Sequence, residues 1–360
     1  MRKTVHSPLV SWVILTACLV LGMVVLGGFT RLTGSGLSMV DWKPITGILP
    51  PMTLDDWQRV FALYKTSPEY HQVNAGMTLE GFKGIFWLEY IHRLLGRIIG
   101  LVFLVPLVMS LATKELRKWF PRLACLWMLG GLQGILGWYM VQSGLIKTPW
   151  VSPYRLTAHL VLALVTYGGL IWTIFQMRST RFAPPFSRGL KNPWLTSLLC
   201  LLGGTISYGG LVAGMKAGLI YNTFPWMEGR LIPHEAFFYT PWFKNFFTNP
   251  ATIQMTHRFL ALGTLMVALG YIYKRFKEGP RLTERRGLVF LGYSVLGQVV
   301  LGIATLVLQV PLVLAAMHQA GAFILVTSVL GLMYEQGHQF QATEDLQYIP
   351  KKPLRPSTHS

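Results

Sequence analysis

Glu89-Tyr90-Ile91-His92-Arg93-Leu94-Leu95-Gly96 opens an apolar run that reaches residue 111, and Gln254-Met255-Thr256-His257-Arg258-Phe259-Leu260-Ala261 opens another that reaches residue 273. Each run has the roughly 20 residues that an α-helix needs to cross a bilayer, and each carries a histidine and an arginine near its start. Outward from these two, six further runs fall near residues 9–29, 123–142, 154–177, 194–214, 287–308 and 312–334. The reading is an all-α polytopic membrane protein with eight transmembrane helices. Composition agrees: of 360 residues, 52% are apolar and 13% charged, which excludes an ordinary soluble fold and a disordered chain. The first run is too long for a signal peptide and lacks a small-residue cleavage site, so it reads as an anchor.

The formal net charge of +18 would suit a nucleic-acid binder, but the basic residues come in short clusters between apolar runs. Nineteen of the 32 Lys+Arg fall on one side: Arg2 and Lys3, the stretches 114–122, 178–191 and 274–286, and residues 351–355. Ten fall in the opposite loops, where eight acids offset them, and Arg93, Arg97 and Arg258 lie in spans. Cytoplasmic loops of membrane proteins collect Lys and Arg, so both termini are expected in the cytoplasm, with lipid and not nucleic acid as the surrounding partner. No Arg-rich, Ser-rich transit peptide precedes the first run, which favours a bacterial cell (inner) membrane over a mitochondrial inner membrane. Cys18, Cys125 and Cys200 stand singly in the first, third and fifth spans, so no structural disulfide is expected. There is no CxxCH for covalent haem attachment.

The two halves resemble each other. Gly27-Gly28-Phe29-Thr30-Arg31-Leu32-Thr33-Gly34 at the end of the first span matches Gly209-Gly210-Leu211-Val212-Ala213-Gly214 at the end of the fifth. Gln133-Gly134-Ile135-Leu136-Gly137 in the third matches Gln298-Val299-Val300-Leu301-Gly302 in the seventh, and His159 early in the fourth matches His318 early in the eighth. Four landmarks in one order suggest two pseudo-symmetric four-helix bundles. An even number of spans per unit makes this a parallel repeat about an axis along the bilayer normal. The expected organisation is an amino-terminal bundle over 1–178, a cytoplasmic linker at 179–192, a carboxy-terminal bundle over 193–336 and a disordered cytoplasmic tail at 337–360. His92, His159, His257 and His318 each stand a few residues past an expected span start, and so should share one depth on the outer side.

An ionisable side chain inside a span is costly and marks function by default. One such histidine could simply hydrogen-bond a neighbouring helix; four at repeat-equivalent places weaken that explanation. Zinc usually takes four closely arranged ligands with Cys or carboxylate help. A proton relay would stagger its groups through the membrane. Two histidines facing each other across a bundle are what axial ligation of a haem requires, and two bundles then imply two haem sites. The halves differ at one place: Glu89 lies one helical turn before His92, where the second half has Gln254. A carboxylate could move protons beside one haem, and a neutral amide suits a site that only passes electrons. A plainer account makes Glu89 a solvated first-turn acid. Arg93 and Arg258 are candidate contacts for haem propionates, with snorkelling to headgroups as the alternative.

Gly27 to Thr33 with Ser35-Gly36-Leu37-Ser38, Asp41-Trp42-Lys43-Pro44-Ile45-Thr46-Gly47, Leu49-Pro50-Pro51, Glu89 to Arg93 and Gly96-Arg97 closely resemble the haem A synthase family. Asn222-Thr223-Phe224-Pro225, Met255-Thr256-His257-Arg258 and His318-Gln319 add to the resemblance, which runs over essentially the whole chain. It implies oxidation of the C8 methyl of haem O to a formyl group, by successive hydroxylations and loss of water, giving haem A for cytochrome c oxidase. By motif, Glu89 would be the essential acid, His92 and His159 would flank the substrate haem, and His257 and His318 would ligate the iron of a haem b cofactor. If both His92 and His159 bind the substrate iron, no axial position is open for oxygen; either one leaves or the oxidation proceeds without it. Some members carry cysteine pairs in the outer loops. This chain has none there and resembles the branch with proteobacterial and mitochondrial members. Implied partners are the farnesyltransferase that makes haem O and cytochrome oxidase assembly factors. The electron donor and homo-oligomerisation stay open.

Two rivals remain. A di-haem electron-transfer subunit would also use paired histidines but tends to stack both haems in one bundle. A transporter with parallel repeats has no need of four histidines at one depth. The long first and fifth connections, rich in Trp, Pro and Gly, are expected to lie over the bundle ends as amphipathic caps.

Overall fold

The computed structural model describes residues 8–42, 46–146, 148–179 and 183–347. Lys43, Pro44 and Ile45 of the first-loop motif, Lys147, Arg181 and residues 348–360 of the expected tail lie outside them. Eight long helices carry the chain: α1 Pro8–Leu32, α2 Leu79–Met109, α3 Phe120–Ile146, α4 Pro153–Arg178, α5 Pro193–Gly214, α6 Pro250–Lys277, α7 Leu282–Val307 and α8 Leu312–Gln347. All eight have the length and hydropathy to cross a membrane. Three of them, α4, α5 and α6, begin with proline, whose φ already suits the first turn, and the preceding Asn192 and Asn249 cap α5 and α6 by accepting from first-turn amides. Leu101, Met128, Met266, Val300 and Val313 stay exposed on the perimeter, as a lipid-facing surface requires.

Neighbour relations run in the same order in both halves. α1 packs on α2, α2 on α3, α3 on α4 and α4 back on α1; likewise α5 on α6, α6 on α7, α7 on α8 and α8 on α5. α1 against α8, α4 against α5 and α4 against α8 join the halves. That seam is closed by small residues and polar clasps: Gln319 Nε2 donates to the Val24 carbonyl at 2.9 Å over Gly28, and the Tyr167 and Thr327 hydroxyls meet at 3.0 Å.

Two expected boundaries move. α2 begins at Leu79, ten residues ahead of the expected start, so His92 lies more than three turns into its helix while His159, His257 and His318 lie about two turns into theirs. Equal distance from a helix start, on which the expectation of one shared depth rested, therefore does not hold for His92. The extra turns of α2 form because Phe82, Phe86 and Tyr90 have an apolar partner: Trp57, Phe61 and Tyr64 from the first connection. Those three sit on one face of a helix, Leu54–Lys65, started by a Thr53–Asp56 capping box. The linker expected at 179–192 contains a short helix, Phe186–Gly189, that packs on α8, and Gln176 Nε2 donates to the Pro184 carbonyl at 2.8 Å. Finally, α8 continues through Gln347, so residues 337–347 of the expected tail are helical.

Candidate functional site

The histidines occupy the second and fourth helix of each half: His92 on α2 and His159 on α4, His257 on α6 and His318 on α8. Each ring lies against a glycine on a first or third helix. A Cβ added to Gly27 would stand 3.1 Å from His92 Nε2, one on Gly137 3.0 Å from His159 Cε1, one on Gly209 3.2 Å from His257 Cε1 and one on Gly302 2.8 Å from His318 Cε1. So the helices on which the histidines sit face each other, and the helices between them are stripped of side chains where the rings pass.

Three of the rings have nitrogens free of protein partners. His257 Nδ1 lies 2.9 Å from the Thr205 carbonyl. A carbonyl only accepts, so Nδ1 carries the proton and Nε2 keeps the lone pair that a metal needs. Nδ1 of His159 and of His318 are buried without a hydrogen-bond partner. Gln133 Nε2 donates to the His159 carbonyl and Gln298 Nε2 to the His318 carbonyl, each at 2.8 Å, fixing the backbone under both rings. Among the described residues no three His, Cys, Asp or Glu side chains converge on a metal-ion site. Paired imidazoles with spare nitrogens in glycine-lined slots fit a flat macrocycle with two axial ligands, and do not fit a tetrahedral ion.

Glu89 is 2% exposed. Its carboxylate accepts from Ser38 Oγ at 2.6 Å, from the Met39 amide at 2.8 Å and from Arg93 Nη2 at 2.6 Å. It is not a solvated first-turn acid. Gln254, also 2% exposed, holds the corresponding place in the other half by donating to the carbonyls of Ala217 at 3.0 Å and Tyr221 at 3.2 Å. Arg93 and Arg258, the candidate propionate contacts, hold backbone carbonyls of the connections. Arg93 Nη2 donates to the Met39 carbonyl at 2.9 Å; Arg258 donates to the carbonyls of Tyr221 at 2.9 Å and Thr223 at 2.8 Å. Both arginines thus tie a long connection to the helix that bears a histidine. A cleft of about 210 Å³ opens beside the Glu89 cluster, lined by Ser38, Met39, Phe86, Arg93 and Arg97 among others.

The structure sets His92 and His159 on diagonal helices of one half and His257 and His318 on diagonal helices of the other, and adds residues that the sequence did not suggest. Ser38 and Met39 reach Glu89 from fifty residues away. Gly27, Gly137, Gly209 and Gly302 were visible as repeat landmarks, and Gln133 and Gln298 likewise. Their recurrence was the available signal; what they touch was not.

Fold and site together define a class: a polytopic helical membrane protein with two pairs of histidines on diagonal helices, and a buried carboxylate one turn from one of these histidines. The chain belongs to the cytochrome oxidase assembly protein family COX15-CtaA, whose model matches residues 10–330. It is 44% identical over 342 residues to the heme A synthase of Nitrosospira multiformis, covering 94% of this chain and 96% of that protein. It is 46% identical over 340 residues to the heme A synthase of Paramagnetospirillum magneticum, covering 93% and 95%, and 44% identical over 329 residues to that of Nitrosomonas eutropha, covering 90% and 92%.

Proposed function

We propose that this chain is a haem A synthase, an oxidoreductase that converts the C8 methyl of haem O to a formyl group and so makes haem A for cytochrome c oxidase. The observation that carries the reading is a difference inside a repeat: two like frames of histidine, glycine and loop-clamping arginine, with the buried Glu89 in one and the neutral Gln254 in the other.

In this reading the amino-terminal bundle takes the substrate. His92 and His159 hold haem O between α2 and α4, with Gly27 and Gly137 leaving room for the ring. Glu89 holds or moves a proton at its carboxylate oxygens, aimed by Ser38, the Met39 amide and Arg93. The aromatic cluster of Trp57, Phe61, Tyr64, Phe82, Phe86 and Tyr90 keeps bulk water from that end. His257 and His318 would hold a haem b in the other bundle, the Thr205 carbonyl keeping the His257 proton on Nδ1 and its Nε2 lone pair free. When bound, that haem supplies one-electron redox chemistry. The farnesyltransferase that produces haem O and cytochrome oxidase assembly factors are the proposed partners, and a bacterial inner membrane with both termini cytoplasmic the proposed setting.

Expression with a haem O source, followed by extraction and chromatography of total haem, tests this. Haem A is expected from the wild-type chain. Glu89→Ala should yield none while retaining a b-type spectrum, and His257→Ala or His318→Ala should lose or weaken that spectrum. Absence of haem A from well-folded wild-type protein overturns the enzyme; an unchanged spectrum in both histidine variants moves the ligands elsewhere.

A further inference from the structure

One buried acid takes no part in the mechanism above. Glu69 lies on the short helix Pro68–Gln72 of the first connection and is 5% exposed. Its carboxyl accepts from the Tyr64 hydroxyl at 3.1 Å, and that hydroxyl accepts from Asn74 Nδ2 at 2.7 Å. Tyr64 is itself fully buried and stacks on Phe82 of α2, with ring centroids 5.1 Å apart. Among the described residues no cation pairs with Glu69. The groups facing it are few. Tyr64 is the donor; Tyr70 and the exposed His71 share its helix; the helix Leu54–Lys65 packed on it carries Asp55, Asp56, Arg59 and Lys65, of which Arg59 pairs with Asp56 and the Lys65 ammonium lies over the Phe61 ring; α3, also packed on it, has Arg122 near its far end as its one charged residue. Through the Tyr64 stack on Phe82, the short helix adjoins α2 two turns before Glu89, whose negative charge disfavours a second one at Glu69.

Each of these features disfavours the charged form of Glu69. Burial removes water, the single neutral donor compensates only in part, and Glu89 repels a second negative charge. Together they push its carboxyl up to about 7, with burial the largest cause. A group that anchors a loop gains nothing from titrating at neutrality, and a glutamine would accept the Tyr64 hydrogen bond equally well. What only a carboxyl supplies is a charge that comes and goes close to Glu89.

We propose that Glu69 is a second carboxyl of the substrate half, coupled through space to Glu89, and that its ionisation sets the pH dependence of turnover. It is a positioning residue: it acts on the reaction through Glu89 and touches neither haem. The proposal rests on Glu89 being the catalytic acid.

The test uses full-length protein in nanodiscs with haem O supplied, comparing wild type, Glu69→Gln and Tyr64→Phe. Turnover of the wild type should pass through a step centred near pH 7 of roughly three- to tenfold, the size a coupling of half to one pK unit gives. Glu69→Gln should flatten that step to under twofold while keeping its b-type spectrum and thermal unfolding midpoint. Tyr64→Phe, which removes the donor, should move the step to higher pH, and this holds the proposal to account even where Glu69→Gln folds poorly. Infrared difference spectra across pH 6 to 8 provide a readout apart from activity: a protonated-carboxyl band that fades near pH 7 and is missing in Glu69→Gln. Absence of that band, or a pH profile unmoved by both variants, overturns the proposal. If no variant or wild type makes haem A while the infrared band titrates as expected, the failure lies with the catalytic reading of Glu89.

Discussion

At the scale of single residues, the site is defined as much by missing atoms as by present ones. Gly302 and Gly297 lie on the same helix, yet a Cβ at Gly302 would press to 2.8 Å of the His318 ring and one at Gly297 would meet nothing within 4 Å. A 2.8 Å contact forces the imidazole aside, out of the slot that aims it across the bundle. Gly302→Ala should therefore lower haem b occupancy or shift its low-spin spectrum. Gly297→Ala should leave the spectrum alone and stabilise α7 by up to about 1 kcal/mol, the helix preference for Ala over Gly. Equal spectra for the two variants, read on purified protein, would remove the glycines from the haem argument. This is also where the sequence was least informative. His92 and His257 announce themselves because a charged-capable group in an apolar run is rare, and Glu89 against Gln254 stands out on comparison of the halves. A glycine's role depends on which ring of another helix it faces, and Ser38 reaches Glu89 only because the first connection folds back onto α2.

At the scale of elements, the eight runs were legible because a bilayer demands about 20 apolar residues whatever the tertiary structure. The start of α2 was not, because residues 79–88 mix Glu, Lys and aromatic side chains and become helix through contact with the cap. The other end of the molecule holds a similar lesson. Arg275 counts in the sequence as one more loop cation. In the structure its guanidinium binds Glu284 through Nε at 2.5 Å and Nη2 at 3.0 Å and also pairs with Glu278, while Gln336 Nε2 donates to Glu284 at 2.9 Å. Glu284 is 1% exposed, so α6, α7 and α8 are joined around one buried carboxylate. Arg275→Met strands that charge and should cost about 3 kcal/mol. Arg275→Met with Glu284→Gln removes both charges and should recover much of the loss. Reversible unfolding in mixed detergent gives the three stabilities; a double variant no better than the single one would show that the pair's charge is not what matters.

At the scale of the whole molecule, the question is which way the histidine-bearing end faces. The packing order places the ends of α1, α3, α5 and α7 with the starts of α2, α4, α6 and α8, since Gly27, Gly137, Gly209 and Gly302 near the former meet the histidines near the latter. Both long connections lie at that end, and the basic stretches 114–122, 178–191 and 274–286 lie at the other. Inserting many Lys and Arg across a membrane is costly, so the basic end should stay in the cytoplasm and the histidine end should face out. Asp55 on the helix Leu54–Lys65 and Ser187 on the helix Phe186–Gly189 are both exposed and mark the two ends. In a background with Cys18, Cys125 and Cys200 replaced, Asp55→Cys should react with an impermeant maleimide added to spheroplasts. Ser187→Cys should react only after the membrane is opened. The reverse pattern would invert the molecule, and it would move the Glu89 and Glu69 carboxyls to the cytoplasmic side, where the pH that Glu69 experiences is set by the cell and not by the medium.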